Sequence, residues 1–339
     1  MPRNELKELY IDKFENLDYS SGFQIFLFIL LFLFLYLLIN LYITSKSLVF
    51  TVIGEDDRLL NINLDSIYPP EIPKHLLHLY NSTLEFYCCY LIYCVDKNIP
   101  AKHIELLYSF NLDHVEKHNT NIYKHRNKFG DTILYIAFRG TITIKDWFYD
   151  FDTNQSFIQE NNKHSQYVIG DDIKIHEGFL KYYARYSNKI IDILKKENPD
   201  YIVTCGHSLG SPLSILAGLD AHLNNFKNIV NYNFACPRIG NQSFKNTIEE
   251  KFNVYRRVNA SDVIPTVPTS VYPNKTDFEN PYMYIHLGQQ RTFDFNYGSL
   301  KSNHTLQNYF YNVNQMYVKQ MYVKQMYDNT HSSIRSNNF

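Results

Sequence analysis

The sequence lacks the charge imbalance and the cysteine spacing that are typical of several functional classes. Lys plus Arg number 33 and Asp plus Glu number 34, so the net charge of −1 gives no electrostatic reason to expect a nucleic acid partner. The five cysteines contain no Cys-x-x-Cys pair for zinc, and an odd number with three crowded into residues 88–94 is not a disulfide framework. We therefore expect buried free thiols, and neither a metal nor an organic cofactor.

One long stretch near the start of the chain lacks charge altogether. Residues 21–44 contain no Asp, Glu, Lys or Arg, and residues 23–39 are mainly Phe, Leu and Ile. About twenty apolar residues span ~30 Å as a helix, which is the thickness of the hydrocarbon core of a bilayer. A cleaved signal peptide would have a shorter apolar core and a small-residue cleavage site. We predict a single-pass membrane anchor, and the three positive residues before it and two after it leave its orientation open.

Composition divides the rest of the chain into segments. A proline-rich stretch at residues 68–73 is typical of the end of a linker. The predicted order is a polar N-terminal segment (1–20), the anchor (21–44), a linker (45–74), an α/β domain (75–312) and a flexible tail (313–339). The tail contains Gln-Met-Tyr-Val-Lys at residues 315–319 and again at 320–324, a five-residue period that matches neither a helix nor a strand.

Strands and helices are predicted to alternate within residues 75–312. Apolar runs predict strands at residues 133–138, 201–205, 229–235 and 254–258, and helical spacing predicts helices at 75–95, at 179–196 and from Ser208 onward. Such alternation is typical of an α/β fold in which helices pack on a mixed, mostly parallel sheet.

The most informative motif is Gly-His-Ser-Leu-Gly at residues 206–210, between a predicted strand and a predicted helix. A serine in a strained strand-to-helix turn needs neighbours at −2 and +2 with almost no side chain, which glycine supplies. The helix that follows would point unpaired N–H groups at the serine, where negative charge develops. We therefore predict that Ser208 is a nucleophile, and a glycine-rich structural turn is the alternative.

A nucleophilic serine needs a base, and the base needs a third group that orients it. Asp262 follows the predicted strand 254–258, where its carboxylate could orient an imidazole. His304 lies in a polar loop that enters a helix, which suits a proton carrier. His286 lies within a predicted strand, where a structural histidine is the default. These contexts favour His304 over His286.

Taken together, the motifs resemble the class 3 lipase family of α/β-hydrolases. The resemblance covers residues 130–310 and runs through Phe-Arg-Gly-Thr (138–141), the Asp-Trp segment at 146–147, His-Glu-Gly-Phe (176–179), the serine motif (206–210), Ala-Cys-Pro-Arg-Ile-Gly-Asn (235–241), Asn-x-x-Asp (259–262) and the late histidine followed by Tyr-Phe (309–310). The sequence departs from the family pattern at Ser211 and Pro212, where the family usually has Gly-Ala. It also departs in the one-residue shift of Pro265 and in the displacement of Tyr309.

The resemblance implies the α/β-hydrolase fold, with Ser208, Asp262 and His304 as a catalytic triad. It also implies an oxyanion hole that includes the backbone N–H groups of Leu209 and Thr141. The segment 142–151 resembles the family's lid, with large apolar residues next to the oxyanion loop (Ile142, Ile144, Trp147 and Phe148). Ordinary core packing is the alternative for these four residues.

These features predict a membrane-anchored serine hydrolase that cleaves carboxylic esters of lipids at a membrane surface. A phospholipase A-type activity is one alternative, because head-group selectivity depends on pocket shape. A hydrolase-fold protein that binds lipid or a partner without turnover is another. The oligomeric state stays open.

Overall fold

The computed structural model describes residues 30, 31, 34, 36, 62–110, 120–140, 155–157, 172–274, 277 and 279–336. The chain divides into two compact units, Met1–Ile53 and Gly54–Phe339. The predicted anchor lies outside the described residues except at Leu30, Leu31, Phe34 and Tyr36, which are helical with exposed side chains. Within the parts that are described, no helix combines the length and the apolarity needed to cross a bilayer.

A seven-stranded sheet forms the centre of the second unit. The described strands are, in chain order, Glu105–Phe110 (β1), Thr120–Arg126 (β2), Thr132–Phe138 (β3), Gln155–Phe157 (β4), Lys174–His176 (β5), Tyr201–His207 (β6), Ile229–Phe234 (β7), Asn253–Asn259 (β8), Val271–Tyr272 (β9), Tyr282–Met283 (β10) and Gln289–Phe293 (β11). The main sheet has the order β1-β2-β3-β6-β7-β8-β11. In this sheet, β1, β2 and β3 pair antiparallel, while β3, β6, β7, β8 and β11 pair parallel, so the predicted mixed, mostly parallel sheet is confirmed.

Helices cover both faces of this sheet. They are Ser82–Lys97 (α1), Glu177–Tyr183 (α2), Ser187–Glu197 (α3), Gly210–Leu223 (α4), Gln242–Lys251 (α5), Leu300–His304 (α6) and Leu306–Ser336 (α7). One apolar cluster includes Leu91 of α1 and Phe310 of α7, and a second includes Phe179 of α2 and Ile248 of α5. The fold therefore has three layers, and the five cysteines are free thiols buried inside it.

The packed domain begins before residue 75. Ile67 and Ile72, in the predicted linker, are buried in the same apolar cluster as helix α1. The first long helix begins later than predicted, at Ser82, because the Asn81 side chain accepts a hydrogen bond from the Leu84 N–H and caps the helix there. The helix predicted at 179–196 is divided into α2 and α3.

Residues 313–336, which were predicted to lie in a flexible tail, continue helix α7. No Gly or Pro interrupts residues 306–336, so nothing in this stretch ends a helix. The first turns pack on the domain, since Val313 is buried and the Tyr317 ring stacks on Phe86 with centroids 4.7 Å apart. Beyond Tyr317 the repeat exposes large apolar side chains (Val318, Met321, Tyr322, Val323 and Met326).

A buried ion pair joins strand β8 to helices α1 and α7. The Arg257 Nε lies 2.9 Å from Glu85 Oε1, and the two side chains are 2% and 3% exposed. The Arg257 Nη1 also donates to the sulfur of Met316 at 3.4 Å. The strand that leads to Asp262 is thereby fixed to the helix that follows His304.

Candidate active site

Ser208 lies in the tight turn between strand β6 and helix α4. Its φ of 55° is in the left-handed region, which is strained for a residue with a side chain. A Cβ on Gly206 would lie 2.1 Å from the carbonyl oxygen of Gly210, and a Cβ on Gly210 would lie 2.5 Å from that of Phe138. Only glycine fits at both positions, which is the steric reason for the Gly-x-Ser-x-Gly spacing.

The structure brings the three side chains of the predicted triad into contact. His304 Nε2 lies 2.8 Å from Ser208 Oγ, and His304 Nδ1 lies 2.9 Å from Asp262 Oδ2. All three are buried, with exposed fractions of 7% for Ser208, 5% for His304 and 2% for Asp262. With Nδ1–H donated to the carboxylate, Nε2 carries a lone pair toward the serine hydroxyl and can accept its proton.

The parallel sheet explains why residues so distant in sequence meet. Ser208 directly follows strand β6, Asp262 follows β8 and His304 follows β11. Because these strands run parallel, their carboxyl ends lie on the same edge of the sheet.

His286 has a different environment from His304. It lies in no strand, contrary to prediction, because β10 ends at Met283. Burial lowers the pKa of His286 to about 3, and the positive charges of Arg256 and Arg238 act in the same direction. This imidazole is therefore neutral at physiological pH.

Two groups besides His304 hold the Asp262 carboxylate. Its Oδ1 accepts a hydrogen bond from the Ile264 N–H at 2.9 Å, and its Oδ2 accepts one from the Tyr309 hydroxyl at 2.8 Å. Burial and then the charge of Asp262 raise the pKa of Tyr309 well above its usual range. The hydroxyl therefore stays protonated and donates a hydrogen bond to the carboxylate. The displacement of Tyr309 is visible in the sequence, but this contact with Asp262 could not be predicted from it.

His207, inside the serine motif, makes a contact that sequence analysis also missed. Its Nε2 donates to the carbonyl oxygen of His304 at 2.9 Å, and the two rings lie 4.9 Å apart. Burial, and then the proximity of His304, lower the pKa of His207 well below its usual value. The neutral His207 ring therefore holds the backbone of His304 without carrying charge.

Of the predicted oxyanion-hole residues, Leu209 is described and Thr141 lies outside the described residues. Leu209 is the N-cap of helix α4. The described segment 120–140 ends beside the serine, at Gly140, where an added Cβ would lie 2.9 Å from the Ser208 Cβ. The predicted lid residues, Ile142, Ile144, Trp147 and Phe148, also lie outside the described residues.

Metal ligands do not cluster in the portion of the chain that is described. There, no group of three or more His, Cys, Asp or Glu side chains is placed to hold an ion.

Comparison with known proteins agrees with the resemblance seen in the sequence. Residues 135–272 match the family Lipase (class 3), which confirms the predicted resemblance. The lipase of Rhizomucor miehei is 29% identical over 148 residues, or 41% of this chain and 38% of its own. The secreted mono- and diacylglycerol lipase MDL2 of Malassezia globosa is 33% identical over 119 residues, or 33% of this chain and 38% of its own. The chloroplastic phospholipase A1-Igamma3 of Arabidopsis thaliana is 28% identical over 209 residues, or 50% of this chain and 38% of its own.

These matches cover only part of each protein. The chain spans 38% of the length of each of these curated relatives. The family match ends at residue 272, before His304. The family match therefore does not distinguish His304 from His286 as the base. The preference for His304 depends on the contacts of its imidazole.

We expect Ser208→Gly to be more stable than Ser208→Ala. Both variants lose the hydroxyl, but only alanine keeps the Cβ that makes a φ of 55° unfavourable. The left-handed conformation costs a residue with a side chain about 1–2 kcal/mol, against about 0.5–1 kcal/mol for the backbone entropy of glycine. Urea denaturation should show a difference in unfolding free energy of up to about 1 kcal/mol in favour of glycine.

Ser214, in the middle of helix α4, is the matched control for this comparison. There the glycine variant should be less stable than the alanine variant by about 1 kcal/mol, because the backbone is helical. A Ser208 pair that behaved like the Ser214 pair would contradict a strained turn at Ser208.

Proposed function

We propose that this protein is a membrane-anchored serine hydrolase that cleaves carboxylic esters of lipids, with acylglycerols as the substrate class. The observation that carries the proposal is the position of the His304 ring between Ser208 and Asp262, 2.8 Å and 2.9 Å from their oxygen atoms. The class 3 lipase match and the relative that is a mono- and diacylglycerol lipase support this substrate class.

Acyl transfer in this proposal begins at the Ser208 hydroxyl. Its Oγ attacks the carbonyl carbon of the ester while His304 Nε2 accepts the proton, and Asp262 stabilises the imidazolium that forms. The carbonyl oxygen becomes an oxyanion, which accepts hydrogen bonds from the backbone N–H groups of Leu209 and Thr141. The loss of one such donor typically costs ~3 kcal/mol of transition-state stabilisation.

The bond to the alcohol oxygen then breaks, and His304 donates its proton to that oxygen. The alcohol leaves, and the acyl group remains on Ser208. Water attacks this acyl-enzyme after losing a proton to the same nitrogen, and the proton returns to Ser208 as the fatty acid departs. Each proton in this sequence moves through one atom, His304 Nε2.

Two alternatives are distinguished from this proposal, and one of them has specific support. A phospholipid substrate is favoured by the likeness to a phospholipase A1. A binding protein without turnover would need no reactive serine, and the hydrogen bonds from His304 to Ser208 and Asp262 weigh against it. Both alternatives are outcomes of the experiment that follows.

We expect the full chain, reconstituted in vesicles of phosphatidylcholine that contain diacylglycerol, to release fatty acid mainly from the diacylglycerol. Ser208→Ala and His304→Ala should each reduce the rate at least about 10³-fold, because each removes a reacting group. His286→Ala is the matched control and should keep most of the activity. Release mainly from phosphatidylcholine would support the phospholipase alternative, and vesicle binding without release would support the binding protein.

We also propose that residues 142–151 form a lid over Ser208. The support is their large apolar content and their position directly after Gly140 and Thr141. Trp147 is the single tryptophan of the chain, so its fluorescence reports on this segment alone. We expect its emission to shift to the blue when vesicles are added to Ser208→Ala, which prevents turnover, because the ring enters an apolar environment. Emission that is the same with and without vesicles would contradict the lid.

We also propose a membrane anchor at residues 21–44, which the uncharged apolar sequence supports. We expect the full chain to remain in membrane pellets after alkaline carbonate extraction. The double variant Leu30→Arg, Phe34→Arg should be extracted, because each arginine near the centre of a span costs about 2.5–3.5 kcal/mol. Leu30→Ile with Phe34→Leu is the control and should stay in the pellet. A double-arginine chain that resists extraction would argue against a membrane-spanning segment here.

A further inference from the structure

Two buried asparagines join the loop that carries Asp262 to the helix that carries His304. Asn259 is the last residue of strand β8, and Asn303 is the residue directly before His304. Their exposed fractions are 0% and 5%. Amides buried this deeply are found where each of their polar atoms has a partner.

Asn303 lies in helix α6 and bonds to the backbone next to Asp262. Its Nδ2 donates to the carbonyl oxygen of Ser261 at 3.1 Å and to Asn296 Oδ1 at 3.3 Å. Its Oδ1 accepts from the Tyr297 N–H at 2.6 Å. Because an N–H must face the oxygen of the amide, the Nδ2 of Asn303 has to face the Ser261 carbonyl.

Asn259 makes the reverse connection. Its Nδ2 donates to the carbonyl oxygen of Asn303 at 3.2 Å and to that of Phe295 at 3.0 Å. Its Oδ1 accepts from the N–H groups of Phe295 and Ser261, at 3.1 Å and 3.3 Å. The same argument from donors and acceptors fixes the orientation of this amide.

The two amides form a reciprocal pair across the site. Asn303 holds the peptide that precedes Asp262, and Asn259 holds the peptide that precedes His304. Each bonded carbonyl is therefore one residue from a side chain of the predicted triad. A change in the distance between the loop that carries Asp262 and the helix that carries His304 would break both hydrogen bonds.

We propose that Asn259 and Asn303 are positioning residues that set the separation of Asp262 from His304, an inference that rests on the proposed hydrolase function. Asp262 and His304 sit on connections that follow different strands, and such connections are the mobile parts of a fold. A displacement of about 1 Å in reacting groups can lower a rate on the order of 100-fold. The amide pair supplies the restraint that the strands themselves do not give.

The test is Asn303→Leu in the full chain, which removes the donors and the acceptor without adding charge. We expect kcat/KM for the diacylglycerol to fall about 10- to 100-fold. The far-downfield proton resonance of the His304–Asp262 hydrogen bond should disappear.

Asn303→Asp is the second variant, and it tests the positioning role if Asn303→Leu does not fold. It keeps an oxygen for the Tyr297 N–H and loses the donors to Ser261 and Asn296. Its His304–Asp262 resonance should be lost, as in Asn303→Leu.

Asn231 is the matched control, because it is 0% exposed and donates to Thr204 Oγ1 at 2.9 Å and Ser214 Oγ at 2.8 Å. Asn231→Leu should lower the melting temperature but leave the His304–Asp262 resonance unchanged.

Asn303 variants that lose thermal stability yet keep the wild-type His304–Asp262 resonance would overturn the positioning role. The resonance can be recorded without turnover, so it tests the positioning role independently of the proposed hydrolase activity. A wild type that shows the resonance but hydrolyses no ester would overturn the proposed function and leave the positioning role standing.

Discussion

The His304 ring donates one hydrogen bond and accepts another, and the rest of the site is organised so that one ring can make both. Its Nδ1 must carry a proton toward Asp262 for its Nε2 to keep a lone pair toward Ser208. The carboxylate that fixes this arrangement is held in turn by the Ile264 N–H and the Tyr309 hydroxyl. The buried ion pair between Arg257 and Glu85 anchors the strand from which that carboxylate emerges.

Much of this site could be predicted from sequence, because its determinants are local. The strained turn at Ser208 depends on two glycines within five residues, and its flanking strand and helix are strongly apolar. Asp262 was predicted from its place after a strand, and the structure puts it in contact with His304. The preference for His304 over His286 came from loop context alone, and the hydrogen bond between His304 and Ser208 agrees with it.

Other features could not be predicted, because they depend on contacts between distant segments. The Tyr309 hydroxyl reaches Asp262 only because helix α7 begins where it does, at Leu306. Asn259 and Asn303 are 44 residues apart, and nothing in either local sequence indicates that they bond. The tail was predicted as flexible from its repeat period, but the Tyr317 ring packs on Phe86 from the opposite end of the domain sequence. Ile67 and Ile72 were likewise predicted to lie in a linker, because the local sequence does not show the tertiary packing that buries them.

The start of helix α7 has a mechanical consequence. Only Thr305 separates this helix from His304, and the helix then continues for 31 residues, or about 46 Å. An unbroken helix of this length behaves as a rod over short distances, and its first turns are held on the domain by Val313 and Tyr317. The exposed Met, Tyr and Val side chains of the outer turns therefore belong to the same continuous helix that begins two residues after His304.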